Sequence, residues 1–175
     1  VVRLPEADDR RKMMESRAKL FGHPIHPMLI PFPLGLLATA VAFDLIDVFG
    51  GSDGFGRAAD YMIAAGILTG LLAAVFGAID WLAIPGGTRA KRVGTLHGLG
   101  NVVVVALFAI AWLLRRDTPA DPGTASLVLQ LVAVLGATVT GWLGGELVDC
   151  LGIGVDPGAH PDAPSSLSGQ PIRRA

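Results

Sequence analysis

Polar and apolar positions alternate along this chain in long blocks. A polar stretch over residues 1–21 is followed by four apolar runs, Met28–Phe49, Ala58–Ile84, Leu96–Leu114 and Ala125–Leu147. At about 1.5 Å per residue, each run is long enough to cross a hydrocarbon core of about 30 Å. None carries the outward polar stripe that a helix of a soluble bundle needs. Leu68 to Ile79 reads LTGLLAAVFGAI, with one threonine and no charge, and Val102–Leu114 offers only the Trp112 indole. Helices apolar on every side belong in lipid. The connections GGSDGFGR, PGGTRAKR and RRDTPADPG are short and rich in turn residues, which makes consecutive helices antiparallel. The pattern therefore predicts an all-α integral membrane protein, with four transmembrane helices in an up-down-up-down bundle.

The flanks differ from this domain, which spans residues 22–154. Residues 1–21 carry six Lys/Arg and four Asp/Glu, and Glu15 and Lys19 stand four apart, as suits a surface helix. The charged part is too long for a signal peptide. Residues 155–175, rich in Pro, Ser, Gly and Asp, are expected to form a mobile polar tail.

Composition supports the membrane reading: 51% of the 175 residues are hydrophobic and only 17% are charged. A net charge of −1 gives no reason to expect a nucleic-acid partner. Cys150 is the single cysteine. An internal disulfide, a CxxCH haem attachment and a CxxC zinc ribbon are thereby excluded. With no phosphate-binding GxxxxGK[ST] and no GxSxG, nucleotide and serine-hydrolase chemistry have no anchor, and a non-enzymatic role is favoured. The lysine and arginine counts set the orientation. Eleven lie in the N-terminal segment, the second connection and the tail, against three in the first and third connections. That bias places both termini in the cytoplasm of a bacterial inner membrane.

This topology brings polar residues to one level. GHPIHP, residues 22–27, opens the first run with His23 and His26; Asp80 and Trp81 close the second, His97 and Asn101 open the third, and Glu146 ends the fourth. All fall at the cytoplasmic side. Gly66, Gly70 and Gly77 share a helix face with Asp80, and Gly141 and Gly145 form a GxxxG. Small faces let membrane helices pack closely, so Asp80 is expected to point into the bundle. A carboxylate near hydrocarbon needs a partner; the histidines, Asn101 and Arg89–Lys91–Arg92 are available to Asp80 and Glu146. Pro31 and Pro33 are expected to loosen or kink the first helix.

GHPIHPMLIPFPLGLL, the Asp80–Trp81 pair, LHGLGN and GWLGGELVDCLGIGV together resemble the bacterial family of predicted four-span membrane proteins catalogued as domain of unknown function 2231, from about Gly22 to Val155. The resemblance implies the four-span fold. Because some members of that family are fused to Rieske or cytochrome c domains, it also implies a redox neighbourhood.

Three readings of the polar level follow. The favoured one is a subunit of a larger respiratory or photosynthetic complex, acting in membrane electron transfer or energy conversion. It would contact lipid and other membrane subunits, or a second copy of itself. Another is a b-type haem held by His26 (or His23) and His97, with Asn101 beside them and Arg92 near the propionates. A third is a divalent metal held by His26, His97, Asp80 and Glu146.

Overall fold

The computed structural model describes residues 13–50 and 54–170. Lys19–Leu20 (β1) and His23–Pro24 (β2) form a two-stranded antiparallel hairpin. Helices follow at Ile25–Leu29 (α1), Pro31–Gly50 (α2), Phe55–Ala83 (α3), Arg89–Leu114 (α4) and Gly123–Asp149 (α5). Taking α1 and α2 together as Ile25–Gly50, the four helical spans are long and apolar enough to cross a membrane. They match the four apolar runs, each extended by a few residues at one or both ends. Ile30 separates α1 from α2 just before Pro31. Prolines 31 and 33 supply no N–H, and the ladder across the junction is carried by Ile30 N–H to His26 O at 3.3 Å and Leu34 N–H to Ile30 O at 3.2 Å.

The helix ends are built locally. Thr88 Oγ1 accepts from Lys91 N–H at 3.1 Å and caps α4, satisfying a donor that has no partner within the helix. Asp47 Oδ1 accepts from Gly56 N–H at 3.1 Å, joining the end of α2 to the start of α3. Arg89 reaches Glu146 at 2.5 Å, joining the start of α4 to the end of α5.

Leu37, Ala40 and Val41 of α2 meet Ala59 and Ile63 of α3, Val104 and Phe108 of α4, and Ala133 of α5 in one apolar core. Five of these eight side chains are alanine or valine. Lipid is as apolar as leucine, so close van der Waals packing, not escape from water, holds such helices together. The larger side chains point outward instead: Leu68, Leu99, Leu135 and Val139 are each more than 60% exposed and face the hydrocarbon. The expected packing glycines divide. A Cβ on Gly66 would lie 2.6 Å from Leu37, while one on Gly70 would make ordinary contact with Val105 and Pro33. Gly141 and Gly145, expected as a packing face, have nothing within 4 Å among the described residues. The inward face of α5 is Ser126, Gln130, Ala133 and Thr140, and a step of one residue past Thr140 and Gly144 turns the GxxxG outward by about 100°.

The N-terminal segment also differs from expectation. Residues 13–21 are not helical; the rest of the expected surface helix, residues 1–12, lies outside the described residues. Met14 forms a bridge with Ile153, donating to Gly152 O at 2.9 Å and accepting from Gly154 N–H at 2.6 Å. The Asp80 carboxylate accepts from Ser16 Oγ at 2.8 Å, from Arg17 N–H at 2.7 Å and from Ala18 N–H at 3.4 Å. Backbone donors held this way cannot close a helical turn. The Glu15–Lys19 ion pair expected of a helix is still made. The tail over 155–170 runs through successive turns, and Ser166 Oγ lies 3.2 Å from His23 Nε2.

Candidate functional site

His26 and His97 come together between the two halves of the bundle, with ring centroids 6.4 Å apart and planes at 90°. Each is held in the same way. His26 Nδ1 lies 2.8 Å from Ala73 O on α3, and His97 Nδ1 lies 2.8 Å from Thr140 O on α5. A carbonyl only accepts, so both Nδ1 atoms carry the proton and each Nε2 keeps an in-plane lone pair. Glycine makes room for both rings. A Cβ on Gly77 would stand 2.9 Å from the His26 ring, and one on Gly144 would stand 3.0 Å from the His97 ring.

Asn101 completes the polar layer. Its Nδ2 donates to His97 O at 2.9 Å, and its Oδ1 accepts from Thr140 Oγ1 at 3.0 Å. Asn101 Nδ2 also lies 3.5 Å from His97 Nδ1 and 3.3 Å from Nε2. Near-equal distances to both ring nitrogens put the amide over the face of the imidazole. A donor to the Nε2 lone pair would lie in the ring plane, far from Nδ1. The lone pair is therefore not used by Asn101.

The other expected site residues are distributed elsewhere. His23 is exposed on β2 beside Ser166, so His26 is the histidine of GHPIHP that meets His97. Asp80 does not reach the histidines; the N-terminal segment occupies its carboxylate. Glu146 is paired with Arg89. Arg92 is exposed on the first turn of α4. Among the described residues no group of three or more His, Cys, Asp or Glu is placed to hold a metal ion. The four-residue metal set is thus split: the histidines meet, and each acid is tied to a partner nearer to it.

A second polar cluster lies at the opposite end of the helices, where the sequence places Asp44, Asp47, Asp60, Arg115 and Arg116 but no histidine. Arg115 and Asp44 are both fully buried and form an ion pair at 2.6 Å. Arg115 also donates to Gly56 O at 2.7 Å and Pro119 O at 2.8 Å. Gln130 Nε2 donates to Asp44 Oδ2 at 2.8 Å, and Ser126 Oγ donates to Ala111 O at 2.9 Å. Asp44 Oδ1, Gln130 Oε1 and Arg115 Nε have no hydrogen-bond partner among the described residues, although Asp60 Oδ1 stands 3.7 Å from that Nε. The available signal was Gln130, a polar side chain five residues into the apolar run that starts at Ala125.

What the histidine pair suits follows from its geometry. Two metal–nitrogen bonds of about 2.0 Å, with the ring radii added, set the centroids of two axial imidazoles about 6 Å apart. A ligating histidine characteristically donates its other N–H to a carbonyl or carboxylate, as both do here. The separation and the shared tautomer leave two imidazoles that could flank one ligand, whereas the acids a four-ligand zinc site would need are tied elsewhere.

Residues 22–157 match the family described as predicted membrane protein, DUF2231. No curated protein and no solved structure matches the chain.

Proposed function

The chain belongs to the DUF2231 family of predicted membrane proteins, and from that premise we propose that it acts in membrane electron transfer, with His26 and His97 as the axial pair of a b-type haem. The observation that carries this reading is the pair of imidazoles 6.4 Å apart, each with Nδ1 tied at 2.8 Å to a helix carbonyl. Bound there, the haem supplies one-electron redox chemistry. The protein's part is to fix both rings, keep each Nε2 lone pair free, and surround the centre with low-dielectric helices. Asn101 and Thr140 lock the His97 side.

The setting proposed for this chemistry is a subunit of a larger respiratory or photosynthetic assembly in a bacterial inner membrane. The helices form an up-down-up-down bundle with the histidine level and both termini on the cytoplasmic side. The contacts joining α2 to α3 and α4 to α5 support that order, and the lysine and arginine bias supports the orientation. The redox setting follows from the fusions implied by the family resemblance.

The test is an absorbance spectrum of the protein purified after expression with haem supplied. A Soret band with about one haem per chain is expected. His26→Ala and His97→Ala should each abolish the axial pair, while His23→Ala should leave the spectrum intact. Protein without a Soret band overturns the reading.

A further inference from the structure

The two halves of the membrane domain correspond residue by residue. At one constant offset, His26, Pro33, Leu37, Ala40 and Asp44 of α1–α2 match His97, Val104, Phe108, Ala111 and Arg115 of α4 and its C-cap. At a second constant offset, Ala59, Ile63, Gly66 and Ala73 of α3 match Ser126, Gln130, Ala133 and Thr140 of α5. Apart from the half-buried histidines, both members of every pair are buried. The histidine contacts repeat too. His26 bonds to Ala73 O and sits on Gly77; His97 bonds to Thr140 O and sits on Gly144, the equivalent atoms at matching distances.

Equivalent residues also meet each other. His26 faces His97, and Asp44 pairs with Arg115. Residues that contact their own equivalents are the mark of two-fold association. The two meeting points lie eighteen positions apart on each strand of the correspondence, which is about 27 Å along a helix. The axis therefore runs lengthwise through the bundle, the arrangement of parallel repeats in a membrane.

We propose that the membrane domain is one histidine-bearing helical hairpin present twice about a local two-fold axis, and that the ligand between His26 and His97 sits on that axis and offers both imidazoles equivalent positions. The ligand half of this statement rests on the haem reading above; the duplication does not. At the histidine end both copies keep the histidine, its carbonyl acceptor and its glycine, while Asn101 and Thr140 stand where the first copy has Ile30 and Ala73. At the other end they have diverged to opposite charges, so a hairpin pairing with its own kind would set Asp against Asp, or Arg against Arg, where no water reaches. The Asp44–Arg115 pair thus directs unlike hairpins to each other.

The test exchanges equivalent residues in the 175-residue chain. Asp44→Arg and Arg115→Asp, made singly, bury like charges and should cut the yield of monodisperse protein in detergent to about a tenth. The double exchange restores opposite charges at equivalent positions and should regain at least about half of the wild-type yield. A double exchange no better than the single variants overturns the duplication. A second readout keeps the test independent of that assembly step. Gly77→Ala and Gly144→Ala should lower the thermal midpoint by similar amounts, and a large loss at one with none at the other counts against the proposal. For the ligand half, His26→Ala and His97→Ala should reduce bound haem by the same factor, and unequal losses overturn the shared axis. Wild-type protein without haem would sink the haem reading but leave the exchange and glycine results to decide the duplication.

Discussion

Asp44 and Arg115 bring opposite charges into a region with no water to screen them, and their neighbours show how that is tolerated. Arg115 gives hydrogen bonds to the acid and to two carbonyls, while Gln130 adds a donor to the acid. Removing one partner leaves the other charge buried alone, at a cost of about 3–5 kcal/mol. Asp44→Ala is therefore expected to lower the thermal midpoint in detergent sharply, and adding Arg115→Met should recover much of the loss. Equal or additive losses in that cycle would show that the two side chains act separately. Cys150, just beyond α5, lies at the other extreme of exposure. Its thiol donates a hydrogen bond to the nearby Glu146 carboxylate, which pushes its pKa up. The thiolate is the reactive form, so Glu146→Gln should lower the pKa and speed iodoacetamide labelling severalfold at pH 8. An unchanged rate would separate the two groups. At this scale the sequence was partly legible. His26, His97 and Asn101 could be brought together because each opens a span at the same level. Asp44 and Arg115 likewise fall at one level, the opposite end of the spans, but among the several charges there no sequence pattern says that these two pair.

The helices were the most legible elements. Their apolar runs are long, lack a polar stripe, and are bounded by Gly and Pro, so composition alone marks their place. Faces were harder to assign. Gly66 and Gly77 lie where the small-residue pattern puts them, against Leu37 and His26, but Gly141 and Gly145 look outward and Gly144 faces His97. Consecutive glycines at 144 and 145 leave the register of a small face undefined until a neighbouring side chain selects one. Charge spacing suggests a surface helix over residues 1–21, whereas long-range capture of Ser16, Arg17 and Ala18 by Asp80 keeps that stretch out of a helix. Asp80→Ala removes the acceptor for Ser16, Arg17 and Ala18. Trypsin cleavage after Arg17 and Lys19 in detergent-solubilised protein should then quicken about tenfold. Cleavage at the wild-type rate would mean that Met14 and its bridge to Ile153 suffice to hold the segment.

Across the whole molecule, two polar layers close the ends of an apolar bundle. One is a pair of imidazoles and the other a buried ion pair, and Leu37, Ile63 and Phe108 lie in the apolar core between them. Among the described residues the core between the two layers is made of apolar side chains. In the proposed topology the histidine layer and both termini lie on the cytoplasmic side. Single cysteines introduced at Ser168 and at Ser52 in a Cys150→Ser background should divide accordingly: in intact cells an impermeant maleimide should label position 52 and not position 168. The reverse pattern would invert the topology. Haem binding by the histidine pair is tested most directly by the reduced-minus-oxidised spectrum of the purified 175-residue chain after loading with haem. Reversible reduction with sharp low-spin bands in the wild type and in His23→Ala, lost in His26→Ala and in His97→Ala, is the predicted result. Absence of a bound haem, or bands that survive both of those substitutions, would contradict it.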